Sequence, residues 1–453
     1  MSQVGDAKEI RSPSADAPSL LNEPIAPVPQ AITIPDGGLR AWLSVLGGFC
    51  VLVSTFGYSN SFGVFQDYYV LKGASTASNV SWIGSLQLFL MFAMGLPAGR
   101  LFDAGYFHHT SVIGSFLYVF SIFMLSLADP RRYYQLVLSQ GVGMGLGSGL
   151  LLVPTMSAQA HHWRKRRSLA MGIVMTGLQA FPYSNRALES DRIIGSGVGG
   201  LIYPIMLNRL IYSKVGFAWG VRATAFLTLG LLIIANCTIT TRLPSAKNRP
   251  PGPKPDIKAI LSDMPYVLVL VTAFLVLWGM FYPYFYLQLW VNLHGLSNNL
   301  AFYTIAILNA SSLPGRVIPN MLADRLGPFN VLIPVSLITS ALVFAMFGAG
   351  NVGAVIVFSI LYGFFSGAAI AVFPPTAASL SKGVHEIGLR LGLMYFVSSF
   401  ALLTGTPIVG ALYDAGYRWF RPIVFSGVVI IAGAFVASIG RHLTIRRKGS
   451  KLV

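Results

Sequence analysis

The sequence predicts an all-α membrane protein, with twelve transmembrane helices in two six-helix bundles. Three observations lead there. About a dozen apolar stretches approach the length of a bilayer crossing, similar features recur at corresponding places in two halves, and basic residues collect in loops on one side. Ala41 to Gln66, Asn79 to Gly99, Thr110 to Ala128 and Tyr133 to Ala160 hold no charged residue, and a hydrocarbon core needs only about 20 such residues as a helix.

Composition excludes the common alternatives. Of the 453 residues, 54% are hydrophobic and 10% charged, whereas about a quarter of a soluble domain is charged; a soluble α/β enzyme is ruled out. The net charge of +17 does not point to nucleic acid. The bases sit in short segments between apolar runs, the pattern that retention of Lys and Arg on the cytosolic side produces. Cys50 and Cys237 both fall within expected spans, which leaves no disulfide framework and no zinc site.

Spans are expected at 41–66, 79–99, 110–128, 133–157, an interrupted fifth, then 217–241, 266–290, 297–322, 329–348, 353–375, 389–413 and 419–440. Residues 1–38, rich in Ser, Pro and Ala, read as a disordered cytosolic tail. An N-terminal bundle (39–241) and a C-terminal bundle (264–440) are joined by a basic linker (242–263), and a basic tail (441–453) follows. The run Trp163-Arg164-Lys165-Arg166-Arg167, the linker and the tail fall on one side if spans alternate, which puts both termini in the cytosol. The plasma membrane is the expected location, with an organelle membrane as the alternative.

The halves echo each other. Leu101-Phe102-Asp103-Ala104-Gly105 follows the second span, and Leu322-Ala323-Asp324-Arg325-Leu326-Gly327 the eighth. Gly145 to Gly149 and then Pro154-Thr155 mark the fourth; Gly363 to Gly367 and then Pro375-Thr376 mark the tenth. Such a six-plus-six duplication is a transporter architecture. The fifth span is anomalous, because Leu169 to Gly177 and Ser196 to Leu207 are each too short to cross. Between them lie Arg186, Glu189, Asp191 and Arg192. Joining Gly177 to Ser196 restores an ordinary span, so Leu178 to Gly195 reads as an in-frame insertion, with a re-entrant loop lining a cavity as the rival.

Arg316 lies inside the eighth apolar run, and a cation within a span is expensive and a functional candidate by default. Its guanidinium offers a carboxylate two parallel hydrogen bonds and does not titrate; the bland alternative is an arginine snorkelling to the headgroups. Asn60, Gln140, Tyr284, Tyr286, Gln288, Asn309 and Tyr395 are polar groups within spans, able to bond a solute or simply a neighbouring helix. Arg316, Asn60, Asn309 and Tyr284 form the expected substrate-binding set, with Asn60 and Asn309 read as lying on corresponding central helices. Asp103 and Asp324, just past their spans with Arg100 and Arg325 nearby, form an expected charge lock at a cytosolic gate, or else solvated helix ends. His108-His109 and His161-His162 lack carboxylates or thiols at ligand spacing. No metal, cofactor or catalytic residue is expected.

Pro35-Asp36-Gly37-Gly38-Leu39-Arg40-Ala41-Trp42, then Ser61-Phe62-Gly63-Val64-Phe65-Gln66 with Tyr68-Tyr69, resembles the monocarboxylate transporter-like branch of the major facilitator superfamily, particularly its fungal members. Gly99 to Gly105, Trp163 to Gly172, Ser196 to Pro204, Trp219 to Arg222 and Gly315-Arg316 continue the resemblance. It implies the major facilitator fold and a secondary carrier that rocks two bundles around a central site, with Arg316 at the substrate anion and Asp103 in the gate. Two departures stand out: Ser312 replaces the acidic residue that animal members carry one turn before the arginine, and the first span has no lysine. The expected function is transport of a small organic solute, a monocarboxylate or related organic anion, across the lipid bilayer, with a proton as an open coupling partner. The alternatives are a larger or neutral metabolite, such as a vitamin or secondary metabolite, and a transporter-like sensor without net flux.

Overall fold

In a computed structural model of the chain, the structure describes residues 36–75, 77–178, 203, 206–207, 209–242, 257–296, 298–412 and 419–453. The N-terminal half contains α1 (Leu39–Gln66), α2 (Asn79–Asp103), α3 (Phe107–Leu127), α4 (Tyr133–Gln159), α5 (Arg167–Met175) and α6 (Gly216–Thr238). The C-terminal half contains α7 (Met264–Val291), α8 (Asn298–Leu326), α9 (Pro328–Gly348), α10 (Val352–Ser379), α11 (Ile387–Leu412) and α12 (Phe420–Lys448). Ten of them, all but α5 and α8, are long and apolar enough to cross a membrane. Helix α8 has the length, with 29 residues, but carries Arg316, Asp324 and Arg325. Helix α5 runs on through a 3₁₀ turn, Thr176–Leu178. Leu178, the first residue of the expected insertion, ends that turn; the rest of it, 179–195, lies outside the described residues.

Several helices outlast the apolar runs that forecast them. Helix α2 continues to Asp103, α8 to Leu326 and α12 to Lys448, so Asp103 and Asp324 lie in terminal helical turns rather than past their spans. Backbone groups leaving the hydrocarbon still gain from helical bonds, and charges are tolerated at that depth.

The packing shows the duplication directly. In the first half α1 packs on α6, α3 on α4, α2 on α4 and α3 on α6; in the second, α7 packs on α12, α9 on α10, α8 on α10 and α9 on α12. Every pairing recurs six helices later. Across the halves, α2 packs on α11 and α8 on α5, two interfaces related by the same exchange. Large apolar side chains such as Phe116, Phe226 and Phe435 are exposed, as suits surfaces solvated by lipid.

Glycines set the spacing within each half. A Cβ on Gly149 of α4 would lie 2.5 Å from the Met94 Cβ of α2, and one on Gly367 of α10 2.6 Å from the Ser312 Cβ of α8. Small residues of this kind let membrane helices approach closely.

Candidate functional site

Two carboxylates join the halves at the end that carries the basic loops. Asp103, fully buried, accepts from the backbone N–H groups of Gly388 (2.9 Å) and Leu389 (2.6 Å) at the start of α11. Asp324 accepts from those of Ser168 (2.8 Å) and Leu169 (2.9 Å) at the start of α5. The first N–H groups of a helix lack intrahelical partners and form the positive end of its dipole, so each carboxylate meets a matched site. Helix α11 comes this close because Gly99 faces Gly388: a Cβ on Gly388 would sit 2.6 Å from the Gly99 carbonyl oxygen, and one on Gly99 would overlap the Gly388 carbonyl. Arg100 and Arg325 are exposed at this end, and the cation that acts on Asp324 is Arg167.

Both cap sites are braced from behind. The Arg390 side chain, one residue beyond Leu389, is buried; it pairs with Asp263 at 2.9 Å and Glu386 at 3.4 Å and lies over the Tyr266 ring. Asp263 also receives Arg447 of α12 at 2.9 Å. On the other side Asp36 accepts from the backbone N–H of Arg164 and Lys165, and Trp42 stands edge-on to Trp163 with centroids 5.1 Å apart. His161 and His162 bond Thr241 Oγ1 and the Thr240 carbonyl, both at 2.8 Å, tying this loop to the chain after α6. Burial pushes His161 down to about 3 and also lowers His162, so both are neutral near pH 7.

Two helical turns inward from Asp324, about 12 Å at helical rise, Arg316 is buried and donates to the Met175 carbonyl of α5 at 2.6 Å. Tyr284 of α7 is within electrostatic reach of it and shares a 3.0 Å hydrogen bond with Ser366 of α10. Asn309 is buried on α8, and its carbonyl accepts from Ser312 Oγ. Arg316, Tyr284 and Asn309 thus belong to one half around α8. Asn60 does not join them: it is exposed, about 31 Å along α1 from Leu39 at helical rise. Nor is it the counterpart of Asn309, since the packing pairs α8 with α2 and not with α1. Gln140 bonds Tyr69 at 2.7 Å inside the first half.

The Met175 carbonyl, the Arg390 network and the Asp36 clamp were not among the expected site residues. Asp263 before Met264-Pro265 is a helix-start signal that was available, and Arg390 stood inside an expected span as an unassigned cation.

Comparison with known proteins agrees with this architecture. Residues 47–347 match the model of the Major Facilitator Superfamily. The aspyridones efflux protein apdF of Emericella nidulans is 39% identical over 445 residues, covering 97% of this chain and 85% of that protein. The agnestins efflux protein AgnL12 of Paecilomyces divaricatus is 36% identical over 404 residues, covering 89% and 87%. Among solved structures, the fucose transporter FucP in its outward conformation superposes with a TM-score of 0.64 at 15% identity, over 87% of this chain and 98% of FucP. A bacterial homologue of the iron transporter ferroportin superposes with a TM-score of 0.68 at 13% identity, over 89% and 99%. The chain belongs to the Major Facilitator Superfamily and is a multi-pass membrane transporter, not an enzyme.

Proposed function

We propose that this transporter exports an organic acid by alternating access, with its basic end and both termini in the cytosol and the plasma membrane as its site. The observation that carries this is Arg316, a buried arginine at the seam of the two halves, bonded to a neutral backbone carbonyl. An anion is the stronger acceptor, so a solute carboxylate or acidic enol competes with the Met175 carbonyl and loosens the α8–α5 contact as it binds. The two efflux proteins among the relatives support an outward direction. With Ser312 one turn before Arg316, no coupled proton is assigned there.

The caps at Asp103 and Asp324 supply the gate. Each charge-assisted cap is worth roughly 1–3 kcal/mol, and two together hold the alternative state to a minor population. Closing one end while the other admits or releases solute is the physical requirement of alternating access, and the matched caps meet it at the cytosolic end.

The test is efflux from yeast cells that express the protein, preloaded with a panel of labelled aromatic and polyketide-like organic acids. Faster loss of at least one acid than from control cells, abolished by Arg316→Gln at equal surface expression, is the expected result. Equal retention of every acid, or efflux indifferent to Arg316→Gln, would remove the organic-acid assignment.

A further inference from the structure

Helices α9 and α12 leave an open cavity of about 290 Å³ between them near the basic end, lined by Asn330, Ile333 and Pro334 of α9 and by Ser438 and Arg441 of α12. Its depth follows from the sequence. On α12, Pro422 to Gly440 hold no charged residue and Arg441 is the first that follows; α9 holds none, and Arg325 is the last before it. The cavity thus lies where the apolar runs of both helices end, the level at which hydrocarbon gives way to lipid headgroups.

Arg441 is the one charged residue of the lining, and no carboxylate faces it there. It donates through Nε to Asn330 Oδ1, and its two terminal amino groups have no partner among the described residues. Asn330 is fixed in turn, its Nδ2 donating to the carbonyls of Leu326 at 2.6 Å and Lys451 at 2.9 Å. The second of these bonds brings the exposed Lys451 to this end of α9. A guanidinium oriented through Nε presents its remaining N–H groups as a fork that fits a phosphate.

Apolar surface continues from the charged end toward the middle of the span. On α9, Asn330, Ile333, Pro334, Leu337 and Ile338 follow the i, i+3, i+4, i+7, i+8 spacing of one face, and Leu337 and Ile338 are exposed. On α12, Arg441, Ser438, Phe435 and Ile431 recur at intervals of three or four residues, and Phe435 and Ile431 are exposed. A ligand held here meets a cation at one end and apolar surface along its length. The corresponding α3–α6 contact is bridged near the same end by direct bonds, Ser111 Oγ to Asn236 Oδ1 at 2.7 Å and Asn236 Nδ2 to Ser115 Oγ at 2.9 Å. The duplication alone therefore does not produce the α9–α12 opening.

We propose that the α9–α12 cavity binds an anionic phospholipid, with its phosphate on the Arg441 guanidinium and its acyl chains along Leu337, Ile338, Phe435 and Ile431. Pockets that enclose whole small molecules run to about 300–1,000 Å³; this one, at the small end and open, suits a single charged group whose chains stay in the bilayer. Basic sites between membrane helices at headgroup level take anionic headgroups. The site is separate from Arg316 and independent of the solute bound there.

The test titrates purified full-length protein in mild detergent with short-chain phosphatidylserine and phosphatidylcholine, counting bound lipids by native mass spectrometry, with glycerophosphoserine and inorganic phosphate as competitors. One phosphatidylserine is expected to bind about tenfold more tightly than phosphatidylcholine, and neither acyl-free anion displaces it at equal concentration. Arg441→Gln removes that preference. Ser438→Trp, which fills the groove and keeps the cation, removes it as well, and so carries the test if Arg441→Gln fails to fold. Arg446→Gln changes an exposed base roughly 140° round α12 from Arg441 and leaves the preference within about twofold. Equal affinity for the two phospholipids, an unchanged preference in Arg441→Gln or Ser438→Trp, or an equal loss in Arg446→Gln overturns the lipid site. Displacement by glycerophosphoserine or inorganic phosphate makes it a site for soluble anions and overturns the lipid assignment likewise.

Discussion

Arg316 of α8 donates to the Met175 carbonyl of α5 at 2.6 Å, so the cation assigned to the solute also tethers the two halves. Replacing it removes both roles. Arg316→Gln is expected to lower initial efflux by about 100-fold, and Arg316→Lys, which keeps the charge but loses the planar fork, by about tenfold. Initial rates in proteoliposomes measure both; a lysine variant as inactive as glutamine would make fork geometry essential.

Asp103 and Asp324 act as a pair. Asp103→Ala or Asp324→Ala leaves two helical N–H groups without their carboxylate, and each is expected to cost the closed state about 1–3 kcal/mol. The two sites share no partner, so the double variant should show nearly additive effects. Protection of a cysteine placed at buried Ser168 against a membrane-impermeant thiol reagent reports the opening; protection unchanged in the double variant would show that the caps do not hold this end.

Much of this was legible in the sequence. Charge-free runs of spanning length forced the helices, and the paired Asp103 and Asp324 segments revealed the duplication, because both signals are local. The partners of the two aspartates were not legible. Arg100 and Arg325 stand nearest in sequence, yet the caps fall to backbone N–H groups at 168–169 and 388–389, which every residue type presents alike. The Arg390–Asp263 pair likewise spans 127 residues and forms only once α7 and α11 are side by side. Asn60 and Asn309 do not lie on corresponding helices, and polarity within a span gives neither depth nor helix correspondence.

Gly99 and Gly388 set how closely α2 and α11 meet. Gly99→Val would drive a side chain into the Gly388 carbonyl and is expected to favour the state open at the basic end while leaving expression near wild type. Trypsin cleavage within the basic loop Trp163 to Arg167 should accelerate; cleavage as slow as in wild type would mean that the interface has room to spare.

His161 and His162 give the basic end a pH dependence. Their folded-state values lie below the ordinary histidine value of about 6.5, His161 at about 3, because burial opposes the charged form. The unfolded chain therefore binds more protons as pH falls from about 6.5 toward 3, and stability declines across that window while staying level above it. The thermal midpoint should hold constant above pH 7 and drop below pH 6.5, with His161→Gln showing a smaller drop. An equal drop in that variant would assign the acid sensitivity elsewhere.

In the proposed carrier, two matched carboxylate caps hold the halves together at the basic end. Spin labels at exposed Leu101 and Lys382 span the α2–α11 interface, and labels at exposed Arg166 and Leu326 span α5–α8, with exposed Cys237 replaced by serine. Distance distributions from pulsed electron resonance in lipid nanodiscs should show one short population for each pair. In the Asp103→Ala, Asp324→Ala double variant both pairs should gain a longer population together. Distances unchanged in that variant, or a change confined to one interface, would contradict a gate built from two equivalent halves.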